Sequence, residues 1–200
     1  MTSERQKHTI ELLKEATDGV LRNSHVDHST AHDELKDRAK EAAYRLLSVR
    51  DRSTAELEDR LLSKGFDPLI VEETISRLTE VGLLNDRKFA RSWVLQRTKY
   101  SARGKNILRQ ELRHKGINEE IISAVLEEIP VQLGVDAART LVMKKASRLE
   151  STSIATWDAY QKEKRRLYNM LVRRGFDCEL AANLADEALQ VVRTNANDEN

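Results

Sequence analysis

One cysteine, two prolines, seven glycines and 4% aromatic residues in a chain of 200 exclude several architectures at the outset. Cys178 has no second cysteine to meet, so neither an intramolecular disulfide nor a cysteine-built metal cluster can form. No window approaches the ~20 apolar residues that a membrane span needs. The opening MTSERQKHTIELLKE carries charges where a secretory leader needs an apolar run. A soluble cytoplasmic protein that makes no membrane contact is expected. Walker, dinucleotide, nucleophile-elbow and zinc-protease motifs are all missing. ARGKN, Ala102 to Asn106, has a glycine and a lysine without the rest of a phosphate loop. No catalysis, no cofactor, no metal and no small-molecule substrate are therefore expected. His25, His28 and His32, beside Asp27 and Asp33, would face one side of a helix. Their setting, RNSHVDHSTAHDE, reads instead as a polar linker with solvated histidines. Cys178 falls in a helix first turn, where a thiolate is stabilised, but a lone incidental thiol is the preferred reading.

What is present is helix-forming. Hydrophobic residues make up 40% and charged residues 34%, and strand signals are absent. One short pattern occurs three times: LLSKGFD, LRHKGIN and LVRRGFD, with glycine at positions 65, 116 and 175. Each reads as a helix–helix junction. Gly65, Gly116 and Gly175 fit the left-handed position after a helix, where a Cβ would be strained. Phe66, Ile117 and Phe176 then pack back on Leu61, Leu112 and Leu171. Asp67, Asn118 and Asp177 stand where the next helix needs an N-cap, and Pro68 suits a first turn. Gly82 ends a further helix, with Leu83 packing on Leu78 and Asn85 or Asp86 capping the next. Ser53 and Glu56 have capping-box spacing.

The flanking i, i+4 leucines and the apolar stripes after each glycine give an all-α fold of three tandem three-helix repeats. An elongated, curved array is expected, because each unit has little core of its own. Residues 1–32 form an N-terminal extension, with a helix near 3–16 and a polar linker after it. Repeats follow at 33–84, 85–134 and 135–193, with a polar tail at 194–200. The third repeat starts near Asp136, after Pro130 and Gly134 stop its predecessor. Its insertion, SRLESTSIATWDAYQKEK, lengthens the middle helix and supplies Trp157.

Formal net charge is only +1, but its distribution is uneven. Between Asp86 and Lys115 lie Arg87, Lys88, Arg91, Arg97, Lys99, Arg103, Lys105, Arg109, Arg113 and Lys115, opposed within the run by Asp86 and Glu111 alone. A second basic stretch runs from Lys144 to Arg174. Solvated faces with i, i+4 ion pairs are the ordinary explanation, but local acids are scarce, which favours an external polyanion or filament. Arg87, Lys88 and Arg91 share one face, and Lys105, Arg109 and Arg113 another. Arg87 and Lys88 also sit in a first turn, where the helix dipole favours anions. DNA phosphate and an acidic protein groove both fit such a surface. Base stacking on a single strand is disfavoured by the sparse aromatics.

LLSVRDRSTAELEDRLLSKGFD, then RLTEVGLLNDRKFARSWVLQR, then ILRQELRHKGI resemble the RecX family of bacterial regulatory proteins. GLLNDRKFA, Gly82 to Ala90, is the most distinctive element. The similarity runs from about Ala39 to Ile129 and more loosely to about residue 190. It implies three tandem three-helix repeats and a partner, the RecA recombinase. It further implies binding in the groove of the RecA–DNA filament, with suppression of ATP hydrolysis, strand exchange and co-protease activity, and so a role in recombination, repair and the SOS response. No cofactor is implied. The ten cations from Arg87 to Lys115 are the candidate contacts. The alternative reading is a stand-alone DNA-binding module of basic three-helix units.

Overall fold

The structure, a computed structural model, describes residues 32–198. Among these residues there are nine α-helices, one short 3-10 helix and no strand. Helix α1 covers 32–49; α2 is Thr54–Ser63, α3 Pro68–Glu80, α4 Asp86–Ser101, α5 Lys105–His114 and α6 Glu119–Glu128. Then come α7 Val131–Ala146, the 3-10 helix Ser151–Ile154, α8 Trp157–Arg173 and α9 Cys178–Asp198. The chain forms two compact units. Among the described residues, one holds 32–51 together with Leu57–Leu83; the other holds Arg52–Glu56 and 84–198.

The three junctions have the expected geometry. Gly65, Gly116 and Gly175 lie at φ +85°, +72° and +84°. The amide of the residue after each glycine bonds back across the helix end: Phe66 to the Leu61 carbonyl at 3.4 Å, Ile117 to Leu112 at 3.1 Å and Phe176 to Leu171 at 3.3 Å. Each glycine amide closes a second bond, to Leu62, Arg113 and Val172. These paired bonds satisfy carbonyls that a helix end otherwise leaves open. Asp67, Asn118 and Asp177 accept from the amides of Leu69, Glu120 and Glu179 at 2.9, 2.7 and 2.8 Å. Pro68 occupies the first turn of α3.

In the first unit Ala39 and Ala43 of α1, Leu57 and Leu61 of α2, and Ile70, Val71 and Leu78 of α3 are buried. Lys36 and Glu73 join α1 to α3 at 2.7 Å. The second unit has two apolar clusters. One gathers Phe89, Val94, Leu108, Leu112, Ile122 and Leu126 from α4–α6. The other gathers Val142, Leu167, Leu171, Phe176, Leu184 and Leu189 from α7–α9, and it also takes Ala102.

Ala102 caps α4 at φ 44°, in the left-handed region, yet it is not glycine. Its methyl is buried in the α7–α9 cluster, which offsets a backbone cost of about 1–2 kcal/mol. The two clusters are joined beside it by backbone. The Gly104 amide donates to the Arg174 carbonyl at 2.7 Å, and the Asn106 amide donates to Gly175 at 3.3 Å. A Cβ on Gly104 would fall 2.3 Å from the Gly175 carbonyl carbon. The Arg174–Gly175 turn thus sits on the start of α5 at a distance only glycine allows. The turn before it in the chain has a related seat. The Ser53 hydroxyl donates to the Lys115 carbonyl at 2.6 Å, and a Cβ on Gly116 would meet that of Ala55 at 2.3 Å.

Some boundaries differ from the sequence reading. Helix α7 starts at Val131 rather than near Asp136, and Gly134 lies inside its first turns. Pro130 supplies the stop alone, since one helical glycine costs only about 1 kcal/mol. Leu83 is 56% exposed, and its neighbour Leu84 is the buried residue. The Leu83 amide still bonds to the Leu78 carbonyl at 3.0 Å, so the turn closes as expected while the expected side-chain packing of Leu83 is not made. The third group's middle helix has 17 residues against 10 in α2 and α5, and its insertion also forms the 3-10 helix. Helix α9 runs past 193 to Asp198. The helix expected near 3–16, His25, Asp27 and His28 lie outside the described residues.

Two glycine substitutions separate the two roles. Gly104→Ala forces backbone apart at the joint and should cost about 3 kcal/mol or prevent folding. Gly134→Ala, with nothing within 4 Å of the added carbon, should raise stability by about 0.5–1 kcal/mol. Urea unfolding followed by circular dichroism measures both.

Candidate functional site

Helix α4 carries much of the basic run, and its sequence divides it into two faces. Phe89, Ala90, Val94 and Thr98 are buried, and the helix packs on α6 and α7. Lys88, Arg91, Leu95 and Lys99 follow one another at spacings of three and four on the opposite side, all exposed. They form one stripe of three cations around a single leucine.

The ten candidate cations are not equivalent. The acids missing from the run arrive from other helices. Arg87 pairs with Glu128 of α6. Arg109 and Arg113 share Glu119, at 2.5 and 2.7 Å. The Lys115 ammonium lies 2.5 Å from Glu56 and 4.6 Å from the centre of the Trp93 ring. Arg97 takes Glu111 in a fork, at 2.9 and 2.8 Å, and its guanidinium lies 5.4 Å from the Trp93 ring. Arg103 approaches Glu111 to 3.5 Å, although its buried Nε makes no hydrogen bond. Lys88, Arg91, Lys99 and Lys105 have no ion pair among the described residues. The expectation that acids are nearly missing is therefore corrected: it counted neighbours in sequence, whereas Glu56, Glu119 and Glu128 are neighbours in space. The groupings change with it, because Arg87 leaves the free set and Lys105 is separated from the paired Arg109 and Arg113.

Glu111 is the centre of the paired group. Burial pushes its carboxyl upward, but hydrogen bonds from Arg97 and the Trp93 indole, with the charges of Arg97 and Arg103, hold it below the usual carboxylate range. The indole Nε1 donates to Glu111 at 2.9 Å. This cluster clamps α4 to α5. The caps divide their work in a way the sequence reading left open. Asn85 accepts from the Lys88 amide and caps α4 itself at 2.9 Å. The Asp86 carboxylate reaches instead to the Thr54 amide at 2.8 Å, while Ser53 takes the Glu56 amide at 3.2 Å. Asp86 thus serves the start of α2, a helix that lies before it in the chain.

The ten junction residues occupy turns and caps, and of them Gly175, Phe176 and Asp177 line one cleft with Lys105. Arg174, beside Gly175, also reaches the basic surface: its guanidinium donates to the Ser101 carbonyl at 2.5 Å, next to the end of α4. The sequence reading also passed over Tyr100, which is 75% exposed beside Lys99. A low aromatic count does not say which rings face water, and here Tyr44 and Trp157 are exposed as well. His32 and Asp33 begin α1, and no cluster of metal-ligating side chains is present among the described residues. No helix among them is long and apolar enough to cross a membrane.

Tandem three-helix groups joined at glycine turns define an all-α helical-repeat protein. Family comparison makes this specific. The model for the first three-helix domain of RecX matches residues 39–78, and that for the second three-helix domain matches 85–126. A protein named Regulatory protein RecX from Corynebacterium efficiens is 40% identical over 157 residues, covering 78% of this chain and 74% of its own. One of the same name from Mycolicibacterium smegmatis is 36% identical over 154 residues, covering 77% of this chain and 81% of its own. The crystal structure of RecX from Lactobacillus salivarius is 25% identical with a TM-score of 0.68, covering 78% of this chain and 97% of that one. The chain belongs to the RecX family of regulatory proteins.

Glu111 also sets an acid dependence. A carboxyl held low in the folded state stabilises it above the unfolded value, about pH 4.3, and that contribution is lost as pH falls through the folded value. Glu111→Gln should cost about 2 kcal/mol at pH 7, a difference that shrinks as pH falls from there through the folded value. Denaturant midpoints of the two proteins across that range provide the check.

Proposed function

We propose that this protein regulates the RecA recombinase by binding the RecA–DNA filament in its groove. Through it the protein restrains ATP hydrolysis, strand exchange and co-protease activity in the cytoplasm, as part of recombination, repair and the SOS response. It acts by contact rather than by catalysis, through three helical repeats at 33–84, 85–134 and 135–193. The observation that carries this reading is the α4 stripe of Lys88, Arg91, Leu95 and Lys99, together with membership in a family of regulatory proteins. Cations already held by carboxylates must break an ion pair before they meet a partner. Those of the stripe meet one without that loss.

Eleven residues of helix separate Lys88 from Lys99, about 16 Å along the axis. Contacts spread over that length can bridge neighbouring groups on a filament surface. A partner seated there obstructs an incoming duplex or a protein client. Arg97, Arg109 and Arg113, assigned by composition to the same surface, hold the protein together in this reading.

Recombinase ATP hydrolysis on single-stranded DNA tests the proposal, with the protein well below the recombinase concentration and a naked-DNA titration at the same salt beside it. Hydrolysis should fall at amounts too small to cover the DNA. Lys88→Ala with Arg91→Ala should raise the concentration for half-inhibition about tenfold, from about 0.7 kcal/mol per exposed cation. Inhibition that sets in only as the DNA saturates would support the DNA-binding alternative, and an unchanged double variant would remove the stripe from the mechanism.

A further inference from the structure

A second feature stands apart from the stripe's central residues. The last turn of α4, the α4–α5 turn, α7 and the third glycine turn enclose a cleft of about 630 Å³. Five cations line it: Arg97, Lys99, Arg103, Lys144 and Arg174. Asp136 is the one lining carboxylate, and it accepts a hydrogen bond from Gln132 at 2.8 Å. Glu111 neutralises Arg97 from behind and approaches Arg103 to 3.5 Å. Lys99, Lys144 and Arg174 face no carboxylate within ion-pairing distance among the described residues. The cleft keeps a clear positive excess. Tyr100 lies at its edge, 75% exposed, with the Lys99 ammonium 5.4 Å from the ring centre.

We infer that this cleft takes a segment of single-stranded nucleic acid, with phosphates on Lys99, Lys144 and Arg174 and one base stacked on Tyr100. Lys99 and Lys144 each stand near the C-terminal end of a helix, where the dipole alone favours a cation. That explains each lysine singly. It explains neither their convergence with Arg174, which comes from a different turn, nor an aromatic ring left in water at the same place. Cationic grooves edged by aromatic rings bind single strands because every base has a face to stack, whereas paired bases in a duplex leave none free. An acidic polypeptide would satisfy the cations and leave the ring without a partner. The size of the recess suits a short run of backbone with one base.

The assignment goes beyond the recombinase reading and is tested without a recombinase, so either can fail while the other stands. The full chain is titrated into a fluorescein-labelled oligothymidylate of about ten nucleotides at low salt, read by anisotropy. Tyr100→Ala should weaken binding about fivefold or more, and Tyr100→Phe, which keeps the stacking face, should restore it. Lys144→Ala should lower the slope of log affinity against log salt by about 0.7, the value for one single-strand phosphate. Melting curves confirm that these exposed positions leave the fold intact. Absence of binding at low salt, or Tyr100→Ala binding like the parent, overturns the inference. Polyglutamate that competes as well as the oligonucleotide, with Tyr100→Ala changing neither, reassigns the cleft to an acidic protein segment and overturns it too.

Discussion

The seat of a glycine turn on the start of a helix is the contact on which the second compact unit depends. At Gly104 and Gly175 two backbones meet with no side chain between them, and two amide–carbonyl bonds cross the contact. Neither apolar cluster, α4–α6 or α7–α9, is large by itself. The seat joins them, and Ala102 reaches from one into the other at the same point. It also has a chemical consequence. Arg174 is carried by the turn itself, so the contact that joins the cores brings that cation to the end of α4 beside Lys99 and Tyr100.

Charge in this chain is best understood as pairing followed by remainder. Six of the ten cations between Arg87 and Lys115 have carboxylate neighbours, supplied by Glu56, Glu111, Glu119 and Glu128. Such partly exposed pairs contribute modestly to stability, typically below 1 kcal/mol each. Their larger effect is to remove cations from the set available to a partner. What remains is small and placed: Lys88, Arg91 and Lys99 along α4, and Lys105 at the start of α5. A net count over the run overstates the binding surface, while its placement is more informative.

The junctions were legible because their physics is local. A glycine after a helix, an apolar residue next and an Asx cap after that state three requirements within seven residues, and Gly65, Gly116 and Gly175 met all of them. The helix order and the all-α class followed from the same local signals. The candidate site was legible only in outline. Arg109 and Glu119 stand ten positions apart, Arg87 and Glu128 forty-one, and Lys115 and Glu56 fifty-nine. No periodicity links such pairs. Asp86 looked like a cap and is one, but for a helix earlier in the chain. Gly134 misled because a breaker in composition is tolerated once a helix packs on its neighbours. Tyr100 escaped notice because exposure is a property of the fold.

Amide hydrogen exchange at Gly104 and Asn106 tests the glycine-turn seat most directly. Both amides lie in or beside a turn, where open backbone exchanges quickly, yet both donate across the contact to Arg174 and Gly175. If the seat holds the two clusters together, they exchange as slowly as amides in the interior of α8. Exchange at the rate of an open loop, with α5 and α8 still protected, would show that the clusters are not joined there and would contradict the account.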